Sequence, residues 1–144
     1  MEPLFADTNI FGIAVDPGDD RREAVWETLD TVAAGTTSLA SADLVLTEIR
    51  ENPHGPTRKK ELELYRLLVD DTYPLDETAE RAAERLEQAA DLGIVDAQLV
   101  AIAAVNGCTF WSGDQRLLNE ENVEVISRVL SEEFQDVSFS YRIE

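Results

Sequence analysis

The chain is short of cysteine, lysine and histidine, and it has no long apolar run. Its 144 residues include one cysteine, Cys108, so an internal disulfide and a secreted disulfide scaffold are excluded. No apolar stretch reaches the roughly eighteen residues a membrane-spanning helix needs. Met1-Glu2-Pro3-Leu4-Phe5-Ala6-Asp7 meets a charge too early for a signal peptide, so a soluble, cytoplasmic protein with no membrane partner is expected. The one histidine, His54, stands in a Pro/Gly loop without a second His or Cys nearby, so it is not read as a metal ligand. Repeats, low-complexity blocks and linkers are also missing. One domain over residues 1–144 is expected, with a core of about 4–126 and a C-terminal extension over 127–144.

What the chain has in excess is acid. Thirty Asp and Glu face twelve Lys and Arg, giving a net charge of −18. At first sight this argues against a nucleic-acid partner, because phosphates repel carboxylates. The distribution qualifies that argument. Lysine is confined to Lys59 and Lys60, and the acids spread over every segment. Dispersed carboxylates with almost no lysine suit a salt-rich cytoplasm, where repulsion is screened over about 3 Å at roughly molar salt. A halophilic origin is therefore expected, and the net charge then no longer excludes a nucleic-acid substrate. An apolar fraction of 44% is too high for a disordered acidic tail.

The hydrophobic pattern alternates short strands with helices. Leu4-Phe5-Ala6 reads as a strand running into a polar turn at Asp7-Thr8-Asn9. Val25, Leu29, Val32 and Ala33 predict a helix stopped at Gly35, and Thr36 to Ala40 predicts a second strand. Ser41 is expected to cap a helix carrying Leu44, Val45 and Ile49. After the break at Asn52-Pro53-His54-Gly55-Pro56, Leu62, Tyr65, Leu68 and Val69 predict a helix, and Thr72 to Leu75 a short extended piece. Ala79, Ala82, Ala83, Leu86 and Ala90 form a small-residue helix face closed by Gly93. Ala97 to Val105 is apolar nearly all round, which predicts a buried helix. Cys108 to Trp111 and Val123 to Ile126 are expected as strands, the second followed by a helix. Strands without period-two polarity indicate a parallel sheet covered on both faces, whose ligands gather at the carboxyl ends of the strands.

Four acids hold informative places in that pattern. Asp7 and Asp114 follow strands, Glu48 lies in the helix after the second strand, and Asp96 opens the most apolar helix. Each has a plain alternative: an Asx turn at Asp7, a surface acid at Glu48, a helix-start acid at Asp96, a loop turn at Asp114. Together they suggest a carboxylate cluster, which ionises cheaply only around a cation. Oxygen-only ligands suit Mg²⁺ or Mn²⁺ rather than zinc. Such an ion can bind a phosphodiester and lower the pKa of a bound water.

Taken in order, Asp7-Thr8-Asn9-Ile10, Thr47-Glu48-Ile49, Asp96 to Ala103 with Gly107, and Ser112-Gly113-Asp114-Gln115-Arg116-Leu117-Leu118 resemble a PIN domain, the nuclease domain of VapC-type toxins. The resemblance spans residues 4 to about 126. It implies an α/β fold, a three-layer α/β/α sandwich with a parallel sheet of about five strands. It also implies a Mg²⁺- or Mn²⁺-dependent endoribonuclease, a homodimer, and an antitoxin that holds it inactive. Carried over by position, Asp7, Glu48, Asp96 and Asp114 are the catalytic and metal-holding acids, and Thr8, Asn9 and Ser112 orient them or bind phosphate. Ser112 stands where threonine is commoner in the family. Residues 53–91 match no motif of the family. Arg50, Arg58, Lys59, Lys60 and Arg66 are the one basic concentration, read either as RNA phosphate contacts or as a solvated face. Trp26 and Trp111 suit packing better than base stacking. The sequence is open to two other readings: a PIN-like module that binds RNA or a protein without cutting, and a haloacid-dehalogenase-type phosphatase. The phosphatase fails because Asp7-Thr8-Asn9 lacks an aspartate two residues after Asp7.

Overall fold

The computed structural model describes residues 2–144. In chain order the elements are β1 (Leu4–Ala6), α1 (Thr8–Val15), α2 (Arg22–Ala33), β2 (Leu39–Ala42), α3 (Asp43–Arg50) and α4 (Gly55–Leu68). They continue with β3 (Asp71–Tyr73), α5 (Glu77–Ala89), α6 (Ile94–Val105), β4 (Thr109–Ser112), α7 (Glu120–Glu133) and β5 (Tyr141–Ile143). The five strands make one parallel sheet in the order β3-β2-β1-β4-β5.

That order fixes the layers. From β1 the chain moves outward through β2 to β3, then crosses back to β4 and on to β5. Right-handed crossovers put the helices of the outward run on one face and those of the return on the other. The contacts agree: α1, α2, α3 and α4 touch one another, and α5 touches α6 and α7. The result is an α/β/α sandwich whose strand order reverses between β1 and β4. At such a reversal the connecting helices diverge and leave a crevice at the carboxyl ends of the two strands.

The three central strands, β1, β2 and β4, are buried because they are short and largely apolar on both faces, while β3 and β5 are exposed edges. Phe5 and Phe110 are register partners on β1 and β4, both fully buried, with ring centroids 6.0 Å apart. Such a pair contributes about 0.5–1.5 kcal/mol beyond its burial. On the return face, α5 presents Ala79, Ala82, Ala83 and Leu86, as its spacing predicts. Those small side chains let it lie close against α6, where Ala97 and Leu99 through Ala104 are all buried.

Several local expectations are corrected. Asp7-Thr8-Asn9 is not a turn: Asp7 is the N-cap of α1, whose Ile10, Phe11, Ile13 and Ala14 are buried. The second strand begins at Leu39, not Thr36, because the threonines close α2 instead. Gly35 takes a left-handed φ of 79°, and the Thr36 amide and hydroxyl both donate to the Thr31 carbonyl. Ser41 lies in β2 rather than capping a helix, and its hydroxyl donates to the Ala6 carbonyl. Gly93 does not close α5, which ends at Ala89, but is the N-cap of α6.

The largest correction is at the C terminus. Val123–Ile126 is not a strand but part of α7. Ile126, Val129 and Leu130 are buried at helical spacing, and the Asn119 side chain caps the helix by accepting from the Asn122 amide. The β-branched run suits a strand locally, but the cap and the longer period decide the outcome. The fifth strand comes later, at Tyr141–Ile143, and is exposed along the sheet edge. It is tied to β4 by side chains. Glu144 accepts from the indole N–H of fully buried Trp111 at 2.9 Å, and the Arg142 guanidinium lies over the same ring, 5.4 Å from its centroid.

Candidate active site

Asp7 reaches the crevice because the Asp7 amide donates to the Trp111 carbonyl, continuing the β1–β4 pairing past the last strand residue. The residue is then 5% exposed, and its carboxylate accepts three hydrogen bonds. The Thr8 amide donates to Oδ1 at 2.8 Å, while the Asn9 side-chain amide and the Ser112 hydroxyl donate to Oδ2 at 3.1 and 2.7 Å. Burial pushes its pKa up to about 6 against the pull of the Ser112 and Thr8 hydrogen bonds, and nearby Asp96 and Glu48 raise it further.

The other acids come from three separate elements. Glu48, on α3, accepts from the Thr8 hydroxyl at 2.7 Å, which ties that helix to the start of α1. Asp96 lies in the first turn of α6 and is half-buried. Burial holds its carboxyl above the usual range, with Asp114 and then Glu48 adding to the effect. Asp114 follows β4, and its Oδ1 accepts from the Arg116 and Leu117 amides at 3.0 and 3.2 Å. Asp96 is thus within electrostatic reach of Asp7, Glu48 and Asp114 alike.

Asn9 and Ser112 form the hinge of this arrangement. The Asn9 carbonyl oxygen accepts from the Gly113 amide at 2.8 Å, and Ser112 Oγ accepts from the Asp114 amide at 3.0 Å. Gly113 is packed tightly: a Cβ there would lie 2.6 Å from Ile13 Cδ1 and 2.9 Å from Arg21 Nη1. A glycine there lets Ile13 and Arg21 pack against the end of β4 without displacement.

Among the described residues, no three His, Cys, Asp or Glu side chains stand close enough to form a finished ion cage. The donor set nonetheless fits a hard divalent ion. It is all carboxylate, and two of its members have their pKa values raised by burial and by one another's charge, the strain a cation relieves.

The basic concentration lies on α3 and α4 and the corner between them. Arg58 donates to the Asn52 carbonyl at 2.8 Å and so braces the α3–α4 corner, while Arg50, Lys59, Lys60 and Arg66 are exposed. His54 caps α4, its ring nitrogen accepting from the Thr57 amide. Trp26 is half-buried, with its N–H on the Ala14 carbonyl, so both tryptophans serve packing. At Asp114, the one of the four acids that lines it, is a feature the sequence did not reveal: an open groove of about 690 Å³ formed with Asn9, Arg21, Gly113, Gln115 and Arg116. A somewhat larger concavity lined by Pro17, Asp19, Trp26 and Asp30 involves none of the four acids.

The family model of the PIN domain matches residues 4–120, most of the chain. The chain belongs to the PIN domain family. Solved structures share the fold at low identity. A chain from the crystal structure of VapBC2 from Rickettsia felis, bound to a DNA fragment from its promoter, is similar with a TM-score of 0.63 and 13% identity, over 83% of this PIN domain chain and 93% of its own. A chain from VapBC-5 of Mycobacterium tuberculosis, a member of the VapBC family of toxin-antitoxin systems, is similar with a TM-score of 0.54 and 21% identity, over 83% and 94%. No curated protein matches in sequence. Among the described residues of this PIN domain, no helix is long and apolar enough to cross a membrane.

Proposed function

We propose that this PIN domain is a metal-dependent endoribonuclease, the toxin of a toxin-antitoxin pair. The observation that carries the reading is Asp7: a nearly buried carboxylate at the β1–β4 reversal, raised to about 6, with Asp96 and Glu48 close enough to push it up. Asp7, Asp96 and Asp114 would hold Mg²⁺ or Mn²⁺, with Glu48 completing the site or orienting a water. When bound, the ion supplies a Lewis acid for the phosphodiester and a water of lowered pKa. Thr8 fixes the Glu48 carboxylate through its 2.7 Å hydrogen bond, and Asn9 and Ser112 hold Asp7. The chemistry has no need of a histidine base.

An antitoxin partner is favoured by the likeness to VapBC structures, and a homodimer by the family resemblance. A cytoplasmic, salt-rich setting is favoured by acids spread over a chain of charge −18. Circular dichroism is then expected to show folded structure lost as salt is dialysed away, and equal stability in dilute buffer contradicts that setting. The alternative is a PIN-fold module that binds RNA without cutting. It draws support from Asp114, which has one carboxylate oxygen spent on two backbone amides. Cleavage of single-stranded RNA at high salt with Mg²⁺ or Mn²⁺ tests both. Loss of at least about a hundredfold in Asp96→Asn supports the nuclease, full activity in that variant contradicts the assignment, and binding without cleavage under either metal favours the module.

A further inference from the structure

The groove at Asp114 holds an arginine that the rest of the molecule does not use. Arg21 is committed: Asp19 takes its Nε and Nη2 at 3.0 and 2.9 Å, and its Nη1 donates to the Gly113 carbonyl at 2.9 Å. Arg116 lines the same groove, two residues beyond Asp114. Among the described residues, no carboxylate comes within ion-pairing distance of it, and its guanidinium makes no hydrogen bond. Most cations of the chain are likewise without an ion pair among the described residues; what sets Arg116 apart is its place in a groove that also contains the site carboxylate Asp114.

The backbone explains why Arg116 stays there. Its amide donates to Asp114 Oδ1, and its carbonyl accepts from the Asn119 and Asn122 side chains at 2.7 and 3.1 Å. The residue is pinned at both ends while its side chain remains free. A guanidinium suits a phosphate diester because its planar fork offers paired donors. A strand crossing Asp114 would bring a neighbouring phosphate over the groove, where the Asn9 and Gln115 amides line the approach.

We propose that the Arg21–Arg116 groove is a phosphate subsite, in which Arg116 binds a phosphate of single-stranded RNA next to the bond held at the acids and Arg21 sets the groove wall. This rests on the nuclease reading for its substrate, and the test separates the two. Binding of a fluorescein-labelled single-stranded RNA oligonucleotide is followed by anisotropy in EDTA over a range of salt, and cleavage of the same RNA is measured separately with Mn²⁺. Arg116→Ala is expected to weaken binding about tenfold, to raise KM in step, and to flatten the salt dependence by about one phosphate contact. Arg116→Lys recovers part of the loss. The exposed Arg128→Ala, which removes the same charge from α7, leaves binding unchanged. Equal effects of Arg116→Ala and Arg128→Ala overturn the subsite, as does a wild-type protein that binds no RNA. Wild-type binding that depends on Arg116, without cleavage under Mn²⁺, leaves the subsite standing and removes the nuclease.

Discussion

Ser112 donates its hydroxyl hydrogen to the Asp7 carboxylate at 2.7 Å, joining the ends of two adjacent strands that lie 105 positions apart in the chain. Ser112 is fully buried, and its oxygen also accepts from the Asp114 amide. One hydroxyl therefore connects two of the four acids. Ser112→Ala is expected to cost about 1–3 kcal/mol, because it removes a donor from the nearly buried Asp7 carboxylate and the acceptor of the half-buried Asp114 amide. It also raises the Asp7 pKa, so the acid limb of the pH–rate profile moves to higher pH. Ser112→Thr keeps the hydroxyl and stays closer to the wild type. Thermal melts and pH–rate profiles of both variants check this.

Asp7 makes stability depend on pH in an unusual direction. Its folded pKa, about 6, lies above the ordinary 3.8, so between those values the folded state binds more protons than the unfolded one. Stability contributed by this group is therefore greatest below about pH 4 and falls as pH rises through 6, by about 3 kcal/mol in the absence of divalent ions. Asp96 acts in the same direction. In EDTA at high salt, the melting temperature is expected to be higher at pH 5 than at pH 7.5. Added Mg²⁺ favours the ionised form and narrows the gap, and Asp7→Asn removes most of it. A gap unchanged in Asp7→Asn assigns the effect to other groups.

Gly113 lies against the ends of two side chains, Ile13 and Arg21. An added methyl must displace the tip of buried Ile13 and the Arg21 guanidinium, which would break the Arg21 hydrogen bond to the Gly113 carbonyl. Gly113→Ala is expected to destabilise the fold by about 1–3 kcal/mol and to displace Asp114. Denaturant titration and RNA cleavage should fall together.

The C-terminal strand should behave as part of the fold. Glu144→Ala leaves the buried Trp111 indole N–H without its acceptor and removes the partner of Arg142. A loss of about 1–3 kcal/mol is expected, with a shift in tryptophan fluorescence. An unaltered melt and spectrum contradict the tie.

The placement of three of the proposed acids was legible in the sequence, because each stands at a fixed place on its element: after a strand for Asp7 and Asp114, at a helix start for Asp96. Alternating short strands and helices then imply which end of the sheet they share. The parts that stayed hidden depend on long-range partners. Tyr141–Ile143 is an exposed edge with no apolar run, held by Trp111 from another strand. Val123–Ile126 looks like a strand until its spacing is extended to Val129 and Leu130. Arg21 lies in an Asp19-Asp20-Arg21-Arg22 run that reads as solvated loop, and only the fold brings its guanidinium to the Gly113 carbonyl.

The convergence of the acids on one ion is best tested by locating that ion. Crystals soaked in Mn²⁺ at high salt, measured at a wavelength where manganese scatters anomalously, should give a peak at bonding distance from Asp7, Asp96 and Asp114, and Asp96→Asn should lose it. A peak seated only on other surface acids, or one that persists unchanged in Asp96→Asn, contradicts a catalytic ion at this site.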